Sequence, residues 1–273
     1  MLDFVTWTAD PAIFTIGSRE IRWYGLAFAV GFAIGYMIVE RMWKRERLPQ
    51  AWIDSLLIYT MLGTVIGARL GHCLFYAPDY YLANPVEILK IWEGGLASHG
   101  GTLGIIVAIY FYSRKVSHKS MLWTFDKLVV PTGLVAAMIR LGNLMNHEIY
   151  GHATDLPWGF RFIENLHAWK RGAEPIFSAP SHPTQLYEAA CYLIIFGVCL
   201  WLYFKKEAWR HEGLIFGIFL IWVFGTRFFI EFVKNDQEAF EADMVLNMGQ
   251  WLSIPFVLAG CYFVWKALNL KKN

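Results

Sequence analysis

Charge is scarce in this chain. Asp, Glu, Lys and Arg make up 17% of its 273 residues, against about 25% in an ordinary soluble domain. A soluble chain of this length would form one or two domains, yet no stretch here is both polar enough and long enough to fold as one. The net charge is only +2, so the placement of the charges says more than their sum, and no nucleic-acid partner is expected. Cysteine is also sparse: Cys73, Cys191, Cys199 and Cys261 form no CxxC pair. Three of them sit inside apolar blocks, which reads as inert thiols and excludes a structural metal site. The N-terminal stretch MLDFVTWTADPAIFTIGSREI lacks a basic segment followed by an apolar run, so it does not read as a cleavable signal peptide. No fixed-period repeat and no low-complexity tract is present.

What is abundant is apolar surface. The chain is 56% hydrophobic and 17% aromatic, and the apolar residues fall into long blocks divided by short charged clusters. Seven candidate spans run roughly over Trp23–Trp43, Ala51–Leu70, Leu96–Tyr112, Met121–Ile139, Leu186–Phe204, Gly213–Val233 and Gly249–Leu268. Each is close to the ~20 residues that cross a ~30 Å hydrocarbon core. At this length only a helix satisfies its own backbone inside lipid, so the expected fold is an all-α polytopic membrane protein with seven transmembrane helices.

The basic clusters RMWKRERLP, SRKVSHKS, KKEAWRHE and LNLKKN follow the first, third, fifth and seventh spans. Lys and Arg accumulate on the cytoplasmic side, so the expected topology has the N-terminus outside and the C-terminus in the cytoplasm. The remaining connections, including the acidic KNDQEAFEAD, fall outside. Residues 1–273 are expected to form a single membrane-embedded domain, with 140–185 as an outer-side loop region between helices four and five. Trp23, Tyr24, Trp43, Trp123 and Trp201 mark span ends, as interface anchors do.

Polar groups at the edge of such spans are informative, because each costs about 2.5–3.5 kcal/mol at mid-helix. Arg69, His99, Arg140, Glu188, Arg227 and Glu231 all fall near outer ends. Arg227 and Glu231, at i and i+4, share a helix face; they either pair to lower the insertion cost or aim the arginine at an anion. Arg69 lies in TVIGARLGH, where Gly67 and Gly71 suit close helix packing and the arginine either snorkels or binds a ligand. His99 stands between two glycine pairs in WEGGLASHGGTLG, either hydrogen-bonded structurally or able to take a proton near neutrality.

In RLGNLMNHEIYG, Arg140 and Asn143 face one way if the helix continues. Arg140 offers a planar fork suited to phosphate, Asn143 and Asn146 offer neutral donors, and Glu148 orients one of them. HPTQLYEA opens the fifth span, with Pro183 at a helix start and His182 or Thr184 as its cap. Gln185 and Glu188 then share a face and join the site. Together these residues make an outer-facing anion pocket within the membrane, and a phospholipid head group is the anion found at that depth.

These motifs resemble the phosphatidylglycerol–prolipoprotein diacylglyceryl transferase family. The likeness is carried by RLGNLMNHEIYG, RWYGL at 22–26, GARLGH at 67–72, EGGLASHGG at 93–101, HPTQLYE at 182–188, TRFFIEF at 226–232 and MGQWLSIP at 248–255, in order over nearly the whole chain. The resemblance implies a seven-helix enzyme of the bacterial inner membrane that moves the diacylglyceryl group of phosphatidylglycerol onto the lipobox cysteine of a prolipoprotein signal peptide. A thioether forms and glycerol phosphate leaves, with no metal or organic cofactor. It implies that Arg140 and Arg227 are essential and neutralise the phosphate. Asn143, Glu148 and Glu231 would bind lipid and hold these arginines, and Tyr24 would matter functionally. His99 would be the base that activates the thiol, unless nearby positive charge forms the thiolate unaided. Many members carry a tyrosine where this chain has Val223, within IWVFGTR, so no proton-transfer role carries over to that position. A transporter or flippase would show internal repeats and midplane charge, and a scaffold would not need these polar groups on several helices.

Overall fold

The computed structural model describes residues 4–17, 19–91, 94–235 and 244–269. Most of the acidic segment at 236–243, Glu93 of the glycine-rich motif and the basic residues at 270–273 lie outside the described residues. The chain is predominantly helical. Helices α1 (Trp23–Glu46), α2 (Gln50–Phe75), α3 (Pro78–Ala83), α4 (Ser98–Tyr112), α5 (Met121–Met145), α6 (Leu166–Trp169), α7 (Thr184–Phe204), α8 (Leu214–Ile230) and α9 (Met248–Asn269) follow in order. Short strands β1 (Val5–Thr6), β2 (Ala12–Ile16), β3 (Arg19–Arg22) and β4 (Phe160–Arg161) accompany them.

Among the described residues six helices are long and apolar enough to cross a membrane: α1, α2, α5, α7, α8 (with the turn to Val233) and α9. The chain is a multi-pass membrane protein. The expected span at Leu96–Tyr112 is a helix, but α4 has only 15 residues, about 22 Å at 1.5 Å per residue. It continues into a π-helical turn over Ser113–Ser117. Many large apolar side chains are exposed on these helices, among them Phe28, Phe32, Ile58, Leu62 and Ile66, as a lipid-facing surface requires.

The chain forms two compact units, residues 1–38 with 126–273, and residues 39–125. In the second, Gly67 and Gly100 let α2 and α4 cross backbone to backbone: a Cβ on Gly67 would collide with the Gly100 carbonyl. This close approach bears out the packing role expected of Gly67. Trp43, Trp52 and Trp123 make edge-on ring contacts there, and Met42, Ile53 and Leu56 are buried.

In the first unit, α1 packs on α5, with Gly31 and Gly35 against Val135 and Pro131. At one end of this unit the Asp126 carboxylate accepts hydrogen bonds from the Gly213 and Phe216 N–H groups at 2.6 and 2.7 Å. It thereby supplies partners for donors that the start of α8 leaves open. At the other end, the N-terminal segment is tied to the region between α5 and α7. β1 pairs in parallel with β4, the Trp7 indole donates to the Leu144 carbonyl, and β2 and β3 form an antiparallel hairpin leading into α1. Residues 151–152 are also pinned to the end of α8: His152 N–H donates to the Val233 carbonyl and the Asn235 amide to the Gly151 carbonyl. The C-terminal end of α5, the start of α7, the end of α8 and the start of α9 therefore gather at one end.

Candidate functional site

The site begins at the last turns of α5. Arg140 Nη1 lies 3.3 Å from Asn143 Oδ1, so the two residues do face one way. The helix ends at Met145, and the chain turns sharply: His147 and Ile149 have φ of +56° and +61°, the left-handed region that a β-branched residue rarely adopts. Several bonds hold this turn. The Thr184 hydroxyl donates to the Ile149 carbonyl at 2.9 Å and the Gln185 amide to the Glu148 carbonyl at 2.6 Å. The Glu148 carboxylate accepts from Asn143 at 2.8 Å and from Asn146 at 3.0 Å, so Glu148 orients both amides. Asn146 Oδ1 and Gln185 Oε1 are buried and have no partner among the described residues.

His147 is buried and lies between two backbone groups. Its Nδ1 accepts the Ile163 N–H at 3.1 Å, and its Nε2 is 2.9 Å from the Ala9 carbonyl. Only the neutral ring with its hydrogen on Nε2 serves both. Burial lowers its pKa, and the Ala9 hydrogen bond opposes that in part. Sequence reasoning passed over this residue, because nothing local marks it.

Facing Arg140 is Glu188 on the second turn of α7, with Arg140 Nε 2.8 Å from its Oε2. The Tyr192 hydroxyl, one turn further along α7, hydrogen-bonds Arg140. At the end of α8, Arg227 Nε is 3.2 Å from Glu231 Oε1, the expected i,i+4 pair. Asn247 donates to the other Glu231 oxygen at 3.1 Å. Asn247 is itself set by a reciprocal cap with Gln250 at the start of α9, at 3.0 and 2.9 Å, the arrangement of a capping box. Gly249 leaves room for the same carboxylate: a Cβ there would lie 2.6 Å from Glu231 Oε1.

Lys234 joins the two halves. Its ammonium is 3.3 Å from Glu188 Oε1 and 3.6 Å from Glu231 Oε1. The charges then alternate as Arg140, Glu188, Lys234, Glu231, Arg227. The i+3 spacing from Glu231 was a signal in the sequence, but Lys234 reads there as the start of a polar loop. Both arginines meet their carboxylates through Nε. Among the described residues no protein group takes the terminal nitrogens of Arg227. Tyr24, at the start of α1, packs on Gly142, whose Cβ would meet the Tyr24 ring at 2.8 Å and its Cα at 3.0 Å.

Three expectations change. Thr184 and His182 do not cap α7: its N-cap is Pro183, without a side-chain bond, because the Thr184 hydroxyl is committed to Ile149 and His182 Nδ1 lies 3.2 Å from the Tyr187 hydroxyl. Arg69, in the second unit, is buried and donates from all three of its nitrogens to the Glu87, Ile88, Gly94 and Gly95 carbonyls. The fork expected to snorkel or to bind a ligand is taken up by these four backbone carbonyls. His99, also in the second unit, is exposed in the first turn of α4 and makes no side-chain hydrogen bond among the described residues.

Comparison with known proteins places the whole chain among relatives of one family. The model of the family described as prolipoprotein diacylglyceryl transferase matches residues 11–266. The phosphatidylglycerol–prolipoprotein diacylglyceryl transferase of Porphyromonas gingivalis is 54% identical over 272 residues, covering 97% of this chain and 95% of the relative. That of Tolumonas auensis is 48% identical over 254 residues, covering 93% and 94%. That of Chloroherpeton thalassium is 44% identical over 266 residues, covering 97% and 95%.

Proposed function

The chain belongs to the prolipoprotein diacylglyceryl transferase family, and on that premise we propose that Arg140 and Arg227 together receive the phosphate of its lipid substrate. The enzyme transfers the diacylglyceryl group of phosphatidylglycerol to the cysteine thiol of a prolipoprotein, forming a thioether and releasing glycerol phosphate. The observation that carries the site assignment is the way both arginines are held. Each has its Nε within ion-pair distance of a carboxylate, at 2.8 and 3.2 Å; Arg140 also meets Asn143 Oδ1 through Nη1, whereas the terminal nitrogens of Arg227 meet no protein group among the described residues and stand open to another anion.

In the reaction the sulfur forms a bond to the glyceryl carbon as the bond from that carbon to the phosphate oxygen breaks. The leaving glycerol phosphate gains negative charge in that step. Fixed guanidinium groups stabilise such developing charge more than they stabilise the substrate. Asn143, Glu148 and Glu231 hold the arginines and the adjoining turn. Asn146 and Gln185, with their unpartnered carbonyl oxygens, offer acceptors to the hydroxyls of the glycerol head group. Tyr24 covers Gly142 beside Arg140. His99 is the candidate acceptor of the thiol proton by its chemistry, and a thiolate formed by local positive charge is the alternative. The prolipoprotein substrate enters as a signal peptide whose lipobox carries the cysteine.

We propose further that the chain crosses the bacterial inner membrane seven times, with α4 and its π-helical continuation as the third crossing, the N-terminus outside and the C-terminus in the cytoplasm. The ties of the N-terminal segment to residues 144 and 159–161 support a shared side for the N-terminus and the 140–185 loop.

The test is mass spectrometry of purified protein incubated with phosphatidylglycerol and a lipobox peptide. The expected result is a diacylglyceryl mass gain on the cysteine with glycerol phosphate released, lost in Arg140→Ala and in Arg227→Ala. Turnover in both variants would overturn the assignment to these arginines. Persistence of the mass gain in His99→Ala would transfer thiol activation to the surrounding positive charge.

A further inference from the structure

Lys234 is 2% exposed, as are the side chains of its partner Glu188, while Glu231 is 7% exposed. A lysine this far from water at the end of a membrane helix needs a reason, because lysine is almost never fully buried unless paired. Its backbone is fixed as well: Lys234 bridges to Gly151, and its neighbours Val233 and Asn235 bond to residues 152 and 151. The ammonium is therefore placed rather than free to snorkel.

What this placement does follows from counting the five charges. Glu188 and Glu231 are each shared between Lys234 and one arginine. Along this chain of ion pairs three cations face two carboxylates, the Glu148 carboxylate being held by the Asn143 and Asn146 amides instead, and one positive charge is left over for an anionic ligand. Without the lysine, two carboxylates would face two arginines. Each arginine would then be neutralised by its own buried partner and drawn toward it, with no net attraction left for a phosphate.

We propose that Lys234 is a positioning residue of the transfer reaction: by standing between Glu188 and Glu231 it takes up part of the charge of both, so that the guanidinium groups of Arg140 and Arg227 keep positive charge for the phosphodiester and for the phosphate that leaves. This inference rests on the reading that the two arginines receive the phosphate. Lys234 touches neither substrate nor leaving group and acts through the arginines.

The experiment measures kcat and KM for phosphatidylglycerol with the full-length protein in detergent, using a lipobox peptide at saturation, for Lys234→Met, Lys234→Arg and the parent. Folding is followed by thermal unfolding, and Arg140→Ala and Arg227→Ala are run alongside. The expected result is a fall in kcat of about 10- to 100-fold in Lys234→Met, with a smaller change in KM and recovery in Lys234→Arg. A folded Lys234→Met with the parent kcat, or one in which only KM moves, overturns the proposal, and inactive Arg140→Ala and Arg227→Ala in the same series leave the arginine assignment standing. Active arginine variants would instead remove the reading beneath it. Should Lys234→Met fail to fold, Lys234→Gln, which keeps a hydrogen-bond donor and removes the charge, takes its place. A folded Lys234→Gln with a kcat lowered by about 10- to 100-fold supports the charge role, and one with the parent kcat overturns it.

Discussion

Arg140 Nε stands 2.8 Å from Glu188 Oε2, with the two side chains 19% and 2% exposed. The carboxylate of α7 thus pairs with the guanidinium of α5 at Nε, while Nη1 meets Asn143 Oδ1 at 3.3 Å. A lysine at position 140 would have one ammonium to divide between Glu188 and a phosphate, and no planar fork. Arg140→Lys is expected to insert and fold, and to lose about 10²- to 10³-fold in kcat. The rate of peptide lipidation read by mass spectrometry checks this. A lysine variant at the parent rate would mean that charge alone suffices.

Gly249 tests the other arginine without touching it. A Cβ at this position would fall 2.6 Å from Glu231 Oε1 and 2.7 Å from its carboxyl carbon. The carboxylate must then move away from Arg227 and Asn247. Gly249→Ala should keep α9 intact, since alanine favours helix over glycine by about 1 kcal/mol. The same variant should lower kcat at least about tenfold. Unchanged turnover would show that Glu231 does not need its present position.

Asp126 sits away from these charges and should behave differently. Its carboxylate accepts two backbone N–H groups at the start of α8, at 2.6 and 2.7 Å, and the residue is buried. Asp126→Ala leaves both donors without a partner, at a cost of about 1–3 kcal/mol. A lower unfolding temperature with near-parent turnover of the folded fraction is the expected pair of results. Loss of turnover without loss of stability would contradict a purely structural role.

His147 gives the fold a pH dependence. Burial holds its folded pKa below the ordinary value. The stability that depends on the neutral ring is therefore complete above an unfolded pKa of about 6.5 and is lost as the pH falls through the lower folded value. Protonation would remove the acceptor for the Ile163 N–H and so loosen the tie between the N-terminal segment and the loop after α5. Unfolding temperatures from pH 8 to pH 5 should fall on the acid side for the parent. His147→Gln should be less stable at neutral pH and flatter on acidification, and equal slopes in the two proteins would count against this residue.

Much of the architecture was legible in the sequence because it is written locally. Apolar blocks of near-constant length mark the helices, and the observed α1, α2, α5, α7, α8 and α9 begin and end within a few residues of the expected spans, apart from the extra turns at the ends of α2 and α5. The third block carries Ser98, His99 and Thr102 near its start; Ala97 is extended and α4 begins only at Ser98. Local spacing also exposed the Arg227–Glu231 pair and the common face of Arg140 and Asn143, since three or four residues along a helix bring side chains together.

The sequence by itself determined a helical membrane protein with arginines, amides and carboxylates at the ends of its spans, and its motifs pointed to the family. Tertiary structure alone decided which of those groups meet. Lys234 pairs with Glu188 across 46 residues of chain, and His147 reaches Ala9 across 138. No periodicity carries information over such distances. Arg69 looked like Arg140 and Arg227 in the sequence, yet it is bound to four backbone carbonyls. An arginine fork satisfies a carbonyl as well as a phosphate, and only the chain folded around it determines which partner is in reach.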